Sequence, residues 1–384
     1  MRATLGVVYF AAVSYAAPQA QAAFERASQL CERVTDRAAR IPVLYGMGTF
    51  LTMKGDAPAG HHAFERLAAE AEAIGLPRLQ MYAHALLAWS SYTIGEHDRC
   101  VAAAAAARRL YDAGAVAGPR LTASDPRIVF DCFQALAWWA VGQVDRARAA
   151  TDELLVFARN LGDPYSLAYT LNYAALMVPM LCGEVDTVAE RAAEGVRLAA
   201  DLGYPMLEVG GQLRVAWARG QRGDVDGALA DFDDALARLD AMGVGYHRGE
   251  LLAQRTRLLL RSGQVGAAQL TVAQALAWLD ASGIQAIAPD LYLAEGEVLL
   301  AHGGEQRQLA RSAFQLAFDV ARTQGALSWQ LRAAMALARL AAAEQGAAAA
   351  RAVLEPVLAG FTEGHATADL QQAAALLAGW TNRA

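Results

Sequence analysis

Small and aromatic residues recur along the chain at fixed distances from a series of glycines. A small residue stands seven positions before the glycine in several copies, and Ala, Phe and Ala stand five, nine and twelve positions after it. Residues at these spacings share one face of an α-helix, so each such glycine predicts a turn between two closely packed helices. The positions before the turn are Gly48, Ala88, Ala135 and Ala216, and those after it include Phe64, Ala147, Ala228, Phe232, Ala235, Ala268 and Ala275.

The glycines form a regular series in which all but one step is 18 to 22 residues long. Glycine often follows the last residue of a helix, because it adopts the left-handed conformation without a Cβ clash. Each step therefore predicts one helix of about 16 residues and a turn, and two steps predict a hairpin of about 40 residues. The series is Gly55, Gly75, Gly95, Gly114, Gly142, Gly162, Gly183, Gly203, Gly223, Gly243, Gly263, Gly283, Gly303, Gly325, Gly346 and Gly364.

The order small, small, aromatic, small across a turn is the tetratricopeptide pattern, although the usual repeat has about 34 residues. HEAT-type repeats share the longer period but lack this spacing, and are the second choice. In six turns, beginning with Gly55, the glycine is followed by Asp, Glu or Gln, which we expect to cap the next helix. We predict an all-α fold in which residues 1–384 form one right-handed superhelical solenoid of about nine hairpins.

Both ends of the solenoid can be placed by the same pattern. Ala20, Phe24 and Ala27 fit the second helix of the first hairpin, which makes residues 7–13 its partner helix. A signal peptide cleaved after Ala22 would remove that partner and is disfavoured. At the other end, residues 367–380 are expected to form a capping helix.

One step in the glycine series is about eight residues longer than the rest. Residues 115–127 within it contain Pro119 and Pro126, which prevent a continuous helix, so the segment is predicted to be a loop. A functional loop and a tolerated insertion are both open interpretations.

Composition limits the classes of partner. With 55% hydrophobic and 19% charged residues the 384-residue chain can bury a large core, and its net charge of −6 disfavours nucleic acid and anionic membranes. No apolar run reaches the length that spans a bilayer. The four cysteines, Cys31, Cys100, Cys132 and Cys182, form no Cys-x-x-Cys motif. We therefore expect a cytoplasmic protein.

Catalytic chemistry is not supported by spacing. His61, His62, His84 and His97 could converge as metal ligands, but no zinc motif accompanies them. The stretch 243–249 is glycine-rich like a phosphate loop, yet it falls at a predicted turn between repeats with no strand before it. We expect no enzyme activity, no cofactor and no metal.

Binding is the better hypothesis, because the first helix of each hairpin should line the concave groove. An aromatic and thioether-rich lining suits an apolar or amphipathic peptide. A cationic clamp for acidic peptides would need Lys and Asn there, and these are not evident. The alternative is that many of these side chains simply pack between helices. The predicted groove residues are Tyr45, Tyr82, Trp89, Tyr92, Trp139, Tyr173, Met177 and Trp217.

The C-terminal part carries a resemblance to a known family. Ser328-Trp-Gln-Leu-Arg-Ala-Ala-Met-Ala-Leu-Ala-Arg-Leu, Leu354-Glu-Pro356 and Phe361-Thr-Glu-Gly-His-Ala-Thr-Ala-Asp-Leu370 resemble the tetratricopeptide tail of bacterial proteins that fuse a class III adenylate/guanylate cyclase to an AAA-like ATPase. His365 departs from the aromatic residue usual there. Because no phosphate-binding loop is present and Lys54 is the only lysine, the resemblance implies scaffold function alone.

The resemblance leaves three functional hypotheses. The first is a non-catalytic scaffold that recruits a protein or peptide, such as a cyclase/ATPase module, in signal transduction. The second is an effector-binding domain like those of ATP-dependent transcription activators, weakened by the absence of a visible helix-turn-helix. The third is a split or truncated piece of an active cyclase assembly.

Overall fold

The computed structural model describes residue 26 and residues 36–118 and 120–381, and in these ranges the chain forms helices and no β-strand. The α-helices are α1 (Arg37–Lys54), α2 (Ala57–Ile74), α3 (Pro77–Thr93), α4 (His97–Leu110), α5 (Pro126–Ala140), α6 (Val144–Leu161), α7 (Pro164–Tyr169), α8 (Met177–Leu181), α9 (Val185–Leu202), α10 (Pro205–Gln221), α11 (Val225–Ala241), α12 (Arg248–Arg261), α13 (Val265–Ser282), α14 (Ala288–His302), α15 (Gln306–Thr323), α16 (Leu327–Glu344), α17 (Ala347–Leu358) and α18 (Ala368–Thr381).

Consecutive helices pair into antiparallel hairpins, as the repeat pattern predicts. Hairpins 1 to 8 are α1–α2, α3–α4, α5–α6, α7/α8–α9, α10–α11, α12–α13, α14–α15 and α16–α17, and α18 packs on the last of them. The hairpin predicted around Phe24 lies outside the described residues. The all-α solenoid is therefore confirmed over the described part of the chain.

Left-handed glycines end the helices throughout. All sixteen glycines of the series have φ between 63° and 105°, and no other residue type in the described ranges has a positive φ. The close approach expected within hairpins is also present, since a Cβ on Gly48 would lie 2.5 Å from the Phe64 ring. The spacing seen in the sequence thus reports real helix ends and real helix contacts.

The expected caps form only where the turn carries aspartate. Asp56 and Asp224 accept hydrogen bonds from Ala59 N and Gly227 N, as expected of N-caps. The prediction is wrong for the Glu and Gln turns, which make no side-chain cap. Three of these longer side chains accept from an arginine instead, as Glu96 does from Arg99, and Gln264 donates to Ser262 Oγ.

The first helix of hairpin 4 is broken by a π-helical turn at Thr170–Ala174. Pro179 in α8 has no N–H to give to the carbonyl of Ala175 four residues earlier. Arg191 of α9 supplies the missing donor, with Nη1 at 3.0 Å from that oxygen. The break is therefore compensated by the second helix of the same hairpin, and it displaces Asn172 and Tyr173 from ordinary helical register.

The long connection between α4 and α5 is held by hydrogen bonds at the end next to α5. A π-helical turn, Tyr111–Ala115, extends α4, and Pro126 already belongs to α5, so the non-helical part is shorter than the 115–127 segment expected from the sequence. Asp125 caps α5 by accepting from Arg127 N, and its own N–H donates to Ser166 Oγ at 2.8 Å. The end of the connection is thereby fixed to hairpin 4.

Hairpins far apart in sequence are joined by hydrogen bonds to the ends of first helices. Met53 O, near the end of α1, accepts from Gly245 N and Tyr246 N at 2.9 and 3.1 Å, and Thr93 O at the end of α3 accepts from Gln285 N and Ala286 N at 2.9 and 3.2 Å. Carbonyls at a helix C-terminus have no partner within the helix, so these contacts satisfy them.

Two further first helices end in the same way. Trp139 O accepts from Ser328 Oγ, and Leu181 O accepts from Arg332 Nη2, both at 2.5 Å. Hairpins 1 to 4 therefore contact hairpins 6 to 8, and one apolar cluster extends over both groups. The superhelix is therefore wound tightly enough for its turns to touch, in addition to the contacts between neighbouring repeats that a solenoid requires.

None of the described helices is both long and apolar enough to cross a bilayer.

The turn at Gly245 gives a direct test of the contact between superhelical turns. A Cβ at this position would clash with the backbone oxygen of Lys54, so Gly245→Ala should lower the midpoint of thermal unfolding by about 2–5 °C. Gly266→Ala in α13, where a Cβ meets nothing within 4 Å, is the matched control and should leave the midpoint unchanged or raise it slightly. Equal midpoints for the two variants would show that the contact contributes nothing to stability.

Candidate functional site

Five aromatic side chains form a closed ring inside the superhelix. Trp89 lies against Phe133, Phe133 against Tyr173, Tyr173 against His247, His247 against Tyr246, and Tyr246 against Trp89, with centroid distances of 4.8 to 6.3 Å. Hairpins 2, 3 and 4 supply three of the rings, and the turn before α12 supplies the other two. We call Trp89, Phe133, Tyr173, Tyr246 and His247 the aromatic collar.

Tyr246 fixes the collar to the contact between superhelical turns. Its hydroxyl accepts a hydrogen bond from Trp89 Nε1 at 3.0 Å and lies 3.1 Å from Thr93 Oγ1. Burial raises the pKa of the phenol to about 12, so it stays neutral at physiological pH. The collar is therefore assembled only when hairpin 6 rests on hairpins 1 and 2.

The collar surrounds a cavity of about 100 Å³, which we call the aromatic chamber. First helices supply most of its wall, including Tyr45, Thr49 and Met53 from α1 and Gly210 from α10. The long connection before α5 contributes Thr122, Ala123 and Ser124 to the same wall. The space suits one bulky side chain or a small molecule, rather than a whole folded partner.

A buried ion pair lies at the side of the aromatic chamber. The Arg214 side chain is 1% exposed, and its Nη2 donates to both carboxylate oxygens of Glu250 at 3.2 Å and to Met177 Sδ at 3.1 Å. Burial alone would raise the pKa of Glu250, but Arg214 and His247 hold that pKa below its ordinary value. Burial lowers the pKa of His247, which favours its neutral form. The chamber is thus lined by neutral rings beside one compensated charge pair.

Two buried acceptors in the chamber wall have no hydrogen-bond donor among the described residues. These are Thr49 Oγ1 and Asn172 Oδ1. The Asn172 amide orientation is set by its Nδ2, which donates to Ala168 O and Gly195 O at 2.9 and 2.7 Å. Neither oxygen is exposed to the chamber, since both atoms are fully buried, and the Asn172 Oδ1 lies against α10, where a Cβ on Gly211 would be 1.9 Å from it.

A second and larger cavity lies on the same side of the superhelix, further along the chain. It has a volume of about 700 Å³ and is lined by Trp217, Met335 and polar side chains of hairpins 5 to 8 and α18. Four arginines line it together with two carboxylates, and we call it the arginine chamber. Its charged residues are Arg257, Glu297, Arg307, Arg332, Arg339 and Asp369.

The eight predicted groove residues divide between these chambers and the packing between helices. Tyr45, Trp89 and Tyr173 line the aromatic chamber, and Trp217 lines the arginine chamber. Tyr82, Tyr92, Trp139 and Met177 line neither. For these four the structure supports the alternative, in which the side chains pack between helices.

Each of the four has an evident packing role. Tyr92 contacts the rings of His97 and Phe133, Trp139 stacks edge-on against Trp329, and Met177 accepts from Arg214. Tyr82 is fully buried. The break in hairpin 4 accounts for Met177, because the helical register used to place it does not continue through residues 170–176.

Sequence reasoning missed several chamber residues. Tyr246 and His247 lie in a turn between repeats, outside the helices from which the groove was predicted. Their signal was the unusual Gly243-Val-Gly245-Tyr-His sequence, whose second glycine has a steric role against Lys54 O. Phe133 lies on α5, the first helix of hairpin 3. It could have been predicted by applying the helical face that contains Trp89 in hairpin 2 to the next hairpin.

The histidines and cysteines do not converge. His61 contacts Ser90 and Arg99, whereas His97 is buried beside Tyr92, and no group of three potential ligands in the described ranges could hold a metal. Burial raises the pKa of the Cys100, Cys132 and Cys182 thiols, which leaves them protonated and unreactive. Cys31 lies outside the described residues.

Fold and cavities together define a tetratricopeptide-like α-solenoid with cavities inside the superhelix. No protein-family model matches the chain, and no curated protein matches it in sequence. Among solved structures it is similar to a Rap protein complexed with Competence and Sporulation Factor, with a TM-score of 0.59 and 14% identity over 76% of this chain and 78% of that one.

A second solved structure shares the architecture over nearly the whole length. It is aspartyl phosphate phosphatase F from Bacillus subtilis, with a TM-score of 0.50 and 10% identity, and the match covers 96% of this chain and 94% of that one. At such identities the likeness concerns the fold. It supports the helical-repeat solenoid predicted from the glycine series.

Buried histidines predict a loss of stability on acidification. Burial lowers the pKa of His97 from 6.5 to about 4, so the folded protein keeps it neutral while the unfolded chain protonates it below pH 6.5. Between pH 6.5 and 5 this one group should cost about 2 kcal/mol of the free energy of unfolding, at ~1.4 kcal/mol per pKa unit.

Urea unfolding at pH 7 and pH 5 measures this effect. His97→Leu should lose less stability on acidification than the natural chain, whereas His62→Leu, at an exposed position, should behave like the natural chain. If acidification destabilises all three proteins equally, His97 is not the group responsible.

Proposed function

We propose that the chain is a non-catalytic binding protein that holds an extended peptide segment of a partner protein inside the superhelix. The aromatic chamber takes one bulky apolar side chain of that segment. The observation that carries the proposal is the closed aromatic collar around a cavity of about 100 Å³.

The shape and polarity of the chamber favour a peptide anchor. Rigid aromatic rings supply buried contact area with little loss of side-chain entropy, and such rings are enriched where peptides and proteins are anchored.

The fold similarity is consistent with this proposal. One similar structure is a complex with Competence and Sporulation Factor, so a solenoid of this architecture can accommodate a ligand. A small-molecule effector is the second candidate, since a cavity of about 100 Å³ could also enclose such a ligand. The binding experiment below separates the two, because it offers peptides only.

The sequence resemblance adds a proposal about the partner. Residues 328–370, which carry the resemblance to cyclase/ATPase tails, form α16, α17 and the start of α18. We propose a cyclase/AAA ATPase module as the source of the bound segment. Retention of a purified cyclase/ATPase module on the immobilised protein would support that assignment, and its passage through the column would remove it.

Filling the aromatic chamber should abolish peptide binding. Gly210 lines the chamber, and a Cβ there would meet only Asn172 O at 3.8 Å, so Gly210→Leu fits the backbone and places its side chain in the cavity. Peptides selected by phage display on the natural chain should contain an aromatic or large aliphatic residue and bind Gly210→Leu about tenfold more weakly or worse, a loss of at least ~1.4 kcal/mol.

The matched control is Gly266→Leu in α13, where an added Cβ meets nothing within 4 Å. It should bind the selected peptides as the natural chain does, by isothermal titration calorimetry. Equal affinity for Gly210→Leu would place the peptides elsewhere and contradict the proposal, and failure to select any peptide would favour the small-molecule alternative.

A further inference from the structure

The arginine chamber carries more positive charge than its own carboxylates compensate. Arg257 is held by Asp290 and Glu297, at 2.6 and 3.1 Å, and Arg332 by Asp369 at 2.8 Å. Arg307 shares Glu344 with Arg311. Both carboxylates of the wall, Glu297 and Asp369, are therefore already engaged by arginines.

Arg339 is left without a hydrogen bond or ion pair among the described residues. It lies on α16, in register with Arg332 and Met335, so all three side chains share the helix face that lines the chamber. Partial burial lowers the pKa of its guanidinium, and the nearby Glu297 carboxylate opposes that shift. The residue is exposed, so an incoming anion can pair with its guanidinium without breaking an internal ion pair.

Neutral donors and apolar surface accompany the charge. Gln254 and Gln372 offer side-chain amides, and Trp217, Leu293 and Met335 offer apolar contact area. A guanidinium beside amides and apolar side chains matches a carboxylate carried on a peptide, where the carboxylate pairs with arginine and the chain covers the apolar surface. Although the sequence shows no Lys and Asn clamp, arginines provide the positive charge instead.

We propose that the arginine chamber binds an acidic peptide segment, with Arg339 pairing a carboxylate of that segment. The inference extends the proposed function, since the acidic segment and the apolar anchor could belong to one ligand. The two chambers adjoin along α10. Arg214 lies beside the aromatic chamber, and Trp217, less than one helical turn later, lines the arginine chamber. An extended ligand of a few residues could therefore reach both.

Binding of hexaglutamate tests the proposal, with hexaglutamine as the uncharged control peptide, measured by isothermal titration calorimetry on the full chain at low salt. Arg339→Gln should weaken hexaglutamate binding about tenfold, because one charge-assisted hydrogen bond is lost and no internal ion pair is broken. Arg66→Gln, the same change at an exposed position of α2, should leave the affinity within about twofold of the natural value.

A second readout places the peptide. Trp217 lines the chamber, so hexaglutamate should change the tryptophan fluorescence of the natural chain, and Trp217→Phe should remove most of that change. Equal binding of hexaglutamate by the natural chain and Arg339→Gln would overturn the proposal, as would equal binding of hexaglutamine. Binding of inorganic phosphate without binding of hexaglutamate would overturn the assignment to a peptide.

The result is independent of the aromatic chamber. Gly210→Leu fills the other cavity and should bind hexaglutamate as the natural chain does. If Arg339→Gln loses hexaglutamate binding while Gly210→Leu still binds the selected peptides, the arginine chamber is retained as a binding site and the aromatic anchor is rejected. If Gly210→Leu loses the selected peptides while Arg339→Gln still binds hexaglutamate, the anchor is retained and the acidic segment is rejected.

Discussion

The interior of this protein depends on how four helix ends are satisfied. The last carbonyls of an α-helix have no partner within the helix, and burying them unpaired is unfavourable. At the ends of α1, α3, α5 and α8 the donors come from residues 151 to 193 positions later, such as Gly245 for Met53. These hydrogen bonds hold one turn of the superhelix against the next and determine how tightly it winds.

Both cavities follow from that winding. Because hairpin 6 rests on hairpins 1 and 2, Tyr246 and His247 reach Trp89 and Tyr173 and close the aromatic collar. Because hairpin 8 rests on hairpins 3 and 4, Arg332 contacts both Trp139 and Leu181 O at the wall of the arginine chamber. An open solenoid with contacts only between neighbouring repeats would present these residues on an extended groove, without enclosing them.

The repeat could be read from the sequence because it is local. A glycine with positive φ, a small residue seven positions earlier and an aromatic residue nine positions later are all determined within one hairpin, as Gly48, Gly55 and Phe64 illustrate. The contact between superhelical turns is not local, and its sequence signal is confined to short turns such as Gly243-Val-Gly245. The same limit applies to the site, where Tyr45, Trp89 and Tyr173 were predicted from helical register but Tyr246 and Arg339 required the three-dimensional arrangement. Helical register does not continue through the break in the first helix of hairpin 4, so it is a poor guide to where Met177 lies.

Hydrogen exchange of the two docked turns tests the central claim most directly. The amides of Gly245, Tyr246, Gln285 and Ala286 lie in turns yet donate to Met53 O and Thr93 O. If the superhelical turns are held together by these bonds, the four amides should exchange as slowly as those of the flanking helices, and exchange of the first pair should accelerate in Gly245→Ala. Exchange as fast as in a solvated loop would contradict the account, because the turns of the superhelix would then not be closed and neither chamber would be enclosed.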